Sequence, residues 1–162
     1  MQKSMLLILL MSSFSSSVFS QKEIGMTSSH APNIFIEAGG NGGLASVNFD
    51  MRFSEKYSGL GARIGVGAGY VSEAHVFFRG TTTFPIAINY LFGSGRHFLE
   101  VGAGLTIGQD RFPYDGNKTY FVPNLGYRFQ AVKKGLLFRG VLSPFIGSKV
   151  KFSAGFSLGF VF

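Results

Sequence analysis

From Asn33 to the C-terminus the chain alternates apolar with small or polar residues, in segments of roughly ten residues. A period of two sets successive side chains on opposite faces of an extended strand. Residues 59–70 show it most clearly. Leu60, Ala62, Ile64, Val66, Ala68 and Tyr70 share one face, and Gly61, Arg63, Gly65, Gly67 and Gly69 share the other. Residues 97–108 repeat the pattern, with Leu99, Val101, Ala103, Leu105 and Ile107 opposite Glu100, Gly102, Gly104, Thr106 and Gly108. In residues 121–130, Phe121, Leu125, Tyr127 and Phe129 oppose Asn124, Gly126, Arg128 and Gln130. Residues 152–162 set Ala154, Phe156, Leu158, Phe160 and Phe162 against Ser153, Gly155, Ser157 and Gly159. A soluble sandwich also alternates, but it turns polar side chains toward bulk water, not a row of glycines. Glycines suit the crowded interior of a narrow closed sheet.

Four weaker segments, residues 33–39, 44–53, 84–92 and 135–145, complete a set of eight. Together they predict an all-β fold, an eight-stranded antiparallel up-and-down transmembrane β-barrel. The connections alternate in length in the phase such a barrel requires, with short turns at the periplasmic end and longer loops outside. Residues 54–58, 93–96 and 131–134 are the short set, and residues 39–43, 71–83, 109–120 and 146–151 the outer set. Within the outer set, Gly39-Gly40-Asn41-Gly42-Gly43 reads as a tight hairpin. It lacks the Lys-Ser/Thr and the following helix of a phosphate loop. Pro85 and Pro123 fall near expected strand starts, where a missing ladder donor is tolerated.

Charge sharpens the picture, because a charge facing lipid at mid-membrane costs about 2–4 kcal/mol. Glu37, Asp50, Arg52, Arg63, Glu100, Arg128 and Arg139 all fall opposite the apolar stripe. Carboxylates and guanidiniums inside a barrel just wide enough for its own side chains are expected to pair and plug it. Read functionally, the same residues would line an ion path. The inward glycines leave two readings open, a cavity or room for the long Arg side chains. Aromatics near strand ends, such as Tyr90, Phe92, Phe98, Tyr120 and Phe145, fit the interface girdles of a barrel.

Residues 1–20 follow another pattern, with Lys3, the apolar run MLLILLM at 5–11 and Val18-Phe19-Ser20 before Gln21. This reads as a cleavable signal peptide, its apolar run too short to span a bilayer. Residues 21–162 are then the mature barrel domain, and residues 21–31 a lead-in without clear period.

Composition narrows the chemistry. The chain is 46% hydrophobic and 14% charged, which excludes disorder, yet it has no apolar run of ~18 residues to make a membrane helix. The absence of Cys excludes disulfides, thiolate catalysis, Cys-ligated metal and a lipoprotein anchor. His30, His75 and His97 stand far apart and show no metal-ligand spacing. Ser72 and Glu73 neighbour His75, but adjacent loop residues make no triad without converging geometry and an oxyanion site. The chain is therefore read as non-enzymatic, without metal or cofactor. The formal net charge is +7, and nucleic acid is not the expected partner of an exported chain. Arg79, Arg111, Lys118, Lys149 and Lys151 on the outer connections could meet the phosphates of lipopolysaccharide, diluted by Glu73, Asp110 and Asp115.

The C-terminal FSAGFSLGFVF, with Phe156, Leu158, Phe160 and a final Phe162, resembles the terminal strand of outer-membrane proteins. That resemblance implies recognition by the barrel-assembly machinery. The segments NIFIEAGGNGG, FPIAINYLFGSGRHFLEVGAGL and LGYRFQAVKKGLLFRG resemble small OmpA/OmpX-type barrels of the porin-like superfamily. The resemblance implies a monomeric barrel in the outer membrane of a Gram-negative bacterium, surrounded by outer-membrane lipid. It implies nothing about cell-wall tethering, since no peptidoglycan-binding domain follows the barrel pattern. The leading expectation is a structural or surface-interaction role. A narrow channel or carrier for small or apolar solutes is the alternative, and a lipid-modifying enzyme with His75 as base is the weaker one.

Overall fold

The computed structural model describes residues 32–69, 81–110, 117–132 and 134–162. Ten strands follow in order: β1 (Asn33–Gly39), β2 (Ala45–Arg52), β3 (Gly59–Gly69), β4 (Thr81–Ser94), β5 (His97–Asp110), β6 (Lys118–Gln130), β7 (Gly135–Leu142), β8 (Phe145–Ile146), β9 (Val150–Lys151) and β10 (Ala154–Val161). From β1 to β7 each strand pairs antiparallel with the next, β10 pairs with β7, and β10 returns to β1. The wall is a closed eight-stranded antiparallel barrel of β1 to β7 and β10. The two-residue β8 and β9 form a ribbon beyond it. Closure runs from Asn33↔Val161 to Gly39↔Gly155 and leaves the wall no free edge.

The alternation along each strand sorts residues into two environments. In β4, Phe84, Ile86, Ile88, Tyr90 and Phe92 are exposed, while Pro85, Ala87, Asn89 and Leu91 between them are buried. Every wall strand behaves this way, so the outside is a belt of large apolar side chains and the inside holds the charges. A soluble protein has the opposite arrangement.

Short turns gather at one end of the barrel, where β4 and β5 are joined by Gly95 and Arg96, Gly95 taking φ +68°. The other end carries the long connections. Residues 1–31, including the expected signal peptide, lie outside the described residues, as do residues 70–80 and 111–116.

Three features differ from the sequence reading. Strands β4, β5 and β6 extend farther at the long-connection end than 84–92, 97–108 and 121–130, carried by β-branched residues such as Thr81, Thr82, Thr83 and Thr119. Pro123 is not near a strand start but in the middle of β6, and the expected strands 135–145 and 152–162 are each interrupted, at Ser143-Pro144 and Phe152-Ser153. Pro144 has no N–H to continue the ladder. The glycine-rich connection closes the β1–β2 hairpin as expected, but it does not stand out at the rim. Gly40–Gly42 makes a short 3-10 turn that folds into the barrel mouth, with Gly40, Asn41 and Gly42 all buried.

Candidate functional site: a charged lumen under a folded-in turn

The inward faces of seven strands contribute the main members of one polar chain across the lumen, and β10 adds the Ser157 hydroxyl. Glu37 comes from β1, Asp50 and Arg52 from β2, Arg63 from β3, Asn89 from β4, Glu100 from β5, Arg128 from β6 and Arg139 from β7, and all are buried. Glu100 lies at the centre. Its Oε2 accepts from Arg128 Nε at 2.9 Å and Arg139 Nε at 3.0 Å, and its Oε1 accepts from Arg139 Nη2 at 3.0 Å. Arg128 reaches on to Asp50, with Nη2 3.1 Å from Oδ2 and Nη1 3.3 Å from Oδ1. Asp50 also accepts from Asn89 Nδ2 at 2.6 Å and pairs with Arg52. In the other direction Arg139 Nη1 pairs with Glu37, whose Oε2 also accepts from Ser157 Oγ at 3.2 Å.

The order Asp50, Arg128, Glu100, Arg139, Glu37 alternates in sign, so each buried carboxylate receives several donors. That is what an uncompensated buried charge would lack, and the planar guanidinium fork is suited to bridging two carboxylates. Arg63 is the outlier. It lies 3.8 Å from Glu37 and over the Phe35 ring at 5.9 Å, and among the described residues its guanidinium nitrogens have no hydrogen-bond acceptor. With four guanidiniums against three carboxylates, the excess cation of the chain sits there.

Of the two readings of the inward glycines, Gly61 answers to the second. A Cβ at Gly61 would collide with the Arg52 guanidinium, so this position provides room for that side chain.

Different groups flank the polar chain at its two ends. Toward the short turns, Phe35, Leu137 and Val161 form an apolar floor with Tyr57 packed on it. Toward the long connections the folded-in turn sits over Glu37. The Asn41 N–H donates to Glu37 Oε1 at 3.0 Å, Thr106 Oγ1 donates to the Asn41 carbonyl at 2.8 Å, and Thr83 Oγ1 donates to the Gly42 carbonyl at 2.6 Å. Gly40 takes φ +65°, and a Cβ there would press on the Glu37 carboxylate. The turn therefore belongs to the same network as the charges.

Other candidate residues fall elsewhere. Arg79 and Arg111, together with His30, Ser72, Glu73 and His75, lie outside the described residues. Lys118 opens β6, while Lys149 and Lys151 belong to the ribbon end, all at the long-connection side. Phe156, Leu158, Phe160 and Phe162 point outward and are exposed. His97 is at the opposite end, its Nδ1 2.5 Å from the Tyr127 hydroxyl and its ring edge-on to Phe129, as part of an aromatic rim. The sequence reading did not single out Asn41, Asn89 or Ser157. Asn89 and Ser157 carry the same inward parity as the charges, whereas Asn41 is inside only because its turn folds back.

No protein-family model and no curated protein sequence matches the chain. Among solved structures, the crystal structure of the N-terminal β-barrel domain of Pseudomonas aeruginosa OprF is similar, with a TM-score of 0.57 and 18% identity over 80% of this chain and 97% of that one. The two share one fold.

Proposed function

We propose that the protein is an integral outer-membrane β-barrel of a Gram-negative bacterium, with its lumen closed by the Arg/Glu/Asp chain. Its long-connection end faces outward as a contact surface, and no catalysis is assigned to it. The observation that carries this reading is the inverted distribution of side chains. Ile36, Ile64, Ile88 and Leu125 are exposed around the wall while Glu37, Arg63, Asn89 and Arg128 are buried inside it. Exposed apolar area costs about 25 cal/mol per Å² in water, and a bilayer removes that cost over the whole belt at once. The likeness of fold to the OprF barrel supports the same placement. In this orientation Lys149 and Lys151 meet the outer headgroup layer, where lipopolysaccharide phosphates would be their counter-ions.

Fractionation of cell envelopes together with heat-modifiable gel mobility tests the placement, and recovery as a detergent-free soluble monomer would refute it. Planar-bilayer recording tests the closure. The closed reading expects no sustained conductance from the wild-type barrel, and regular openings that Arg63→Ala alters would replace it with a channel.

A further inference from the structure

The wall is interrupted where two prolines meet. The β6–β7 ladder runs to Leu125↔Leu142, and β6 is next paired at Phe121↔Ile146 in the same register. Carrying that register through the gap sets Pro123 opposite Pro144 and Asn124 opposite Ser143. The Ser143 hydroxyl indeed donates to Asn124 Oδ1 at 2.8 Å. Two facing prolines remove both backbone donors of one antiparallel pair. Pro85 in β4 also interrupts a ladder, but it faces Gly65 and removes one donor.

Two cavities lie beside the double-proline break. Inside the mouth, above the folded-in turn, a cavity of about 320 Å³ is lined by Leu44, Thr83, Thr106, Tyr120, Phe145 and Lys151. On the outer wall a groove of about 600 Å³ is lined by Leu125, Leu142, Pro144, Phe152 and Ala154. Phe152 and Ser153 line both spaces, and Phe152 is 90% exposed. The inner space is at the lower end of the range for small-molecule sites, roughly 300–1,000 Å³, which suits one chain and not a multi-chain lipid. Its walls are mostly apolar and, among the described residues, the charged side chain lining it is a cation, Lys151.

We propose that the Pro123/Pro144 break is a lateral port, through which the mouth cavity takes a single-chain carboxylate amphipath of the long-chain fatty-acid class. The carboxylate lies at Lys151, the charged side chain that lines the cavity. The hydrocarbon chain passes beside Phe152 into the groove and the bilayer. The folded-in turn closes the path downward, so exchange is sideways with the membrane and not through the lumen. This rests on the membrane placement proposed above.

The test uses the full protein purified from membranes and placed in phosphatidylcholine bilayers, with a long-chain fatty acid bearing a terminal diazirine as probe. Mapped crosslinks are expected to concentrate on Leu125, Leu142 and Phe152. Replacing both prolines, Pro123→Val with Pro144→Val, returns the two donors and is expected to cut this labelling at least fivefold. Pro85→Val is expected to leave it unchanged. Lys151→Gln is expected to weaken labelling by the free acid and not by its methyl ester. Labelling spread evenly over Ile64, Ile88 and Leu158 would overturn the port, as would equal labelling of the groove by a diacyl phospholipid probe. If the double proline variant fails to assemble, groove labelling unchanged in both Lys151→Gln and Phe152→Ala overturns the proposal. A chain that forms no heat-modifiable barrel in bilayers refutes the membrane placement instead, whereas an inserted barrel with even labelling refutes the port alone.

Discussion

Arg128 and Arg139 stand directly opposite each other on neighbouring strands β6 and β7. Like charges in that relationship repel across a sheet. Here they are held together by Glu100 on β5, which accepts from the Nε atoms of both at 2.9 Å and 3.0 Å. The three residues form a unit in which the carboxylate is needed for the two cations to share one side of the lumen.

Removing that carboxylate should therefore cost more than removing either cation. Glu100→Ala leaves two facing buried guanidiniums without their shared acceptor, and loss of one partner from a buried ionic group costs about 3–5 kcal/mol. Glu100→Gln keeps one acceptor oxygen and should fall between the variant and the wild type. Urea unfolding of the barrel in lipid vesicles, followed by the loss of compact gel mobility, measures the order. A Glu100→Ala barrel as stable as wild type would mean that the cluster is solvated and not a plug.

The folded-in turn gives a second, separable prediction. Gly40→Ala places a methyl group against the Glu37 carboxylate at a backbone angle that L residues rarely adopt. The turn is expected to leave the mouth, with a loss of about 1–3 kcal/mol from strain. A cysteine introduced as Asn41→Cys reports on this directly. It should resist a membrane-impermeant maleimide in the otherwise wild-type barrel and react readily when Gly40→Ala is added. Rapid reaction in both would place the turn outside the lumen.

How far the sequence could be read depends on the range of the interaction involved. The face taken by Arg63 or Glu100 follows from its neighbours alone, because Ile64 and Leu99 fix the parity of the strand. The eight-strand closed barrel follows from the same local alternation repeated along the chain. The identity of partners does not. That Arg139 bridges Glu37 and Glu100 depends on which strands close on each other and at what register, which no local pattern specifies. The inward fold of Gly40–Gly42 needs Thr83 and Thr106 at the height of the turn, from two other strands. Pro123 looked tolerable near a strand start, and only its cross-strand partner Pro144 makes the position exceptional.

Room for Arg52 supplies a third prediction. Gly61→Val fills the space now occupied by its guanidinium. Arg52 would then lose its contacts to Asp50 and to Asn89 Oδ1 at 2.5 Å. Overpacking and the disturbed ion pair act in the same direction, so a loss of about 1–3 kcal/mol is expected from the steric part alone. Adding Arg52→Met should recover part of the loss, because it removes the charge together with the fork. A double-mutant cycle on unfolding free energies reads the coupling, and strict additivity would separate Gly61 from Arg52.

Adjacent residues on β4 offer the sharpest contrast between the two solvents of the wall. Ile88 is exposed near the middle of its strand, and Asn89 is buried and bridges Asp50 and Arg52. Ile88→Lys puts a charge into the belt, which costs about 2–4 kcal/mol at the bilayer midplane. In a detergent micelle, water and headgroups can approach the new ammonium, so the same substitution should cost much less there. Asn89→Ala removes an amide that serves two charged partners, and each hydrogen bond to a charged group contributes about 1.5–3 kcal/mol. Its cost lies inside the barrel and should be the same in micelle and vesicle. Measured side by side, the ratio of vesicle to micelle penalty should be large for Ile88→Lys and close to one for Asn89→Ala. Equal environment dependence at both positions would mean that the belt does not face lipid, and the inverted barrel would lose its physical basis.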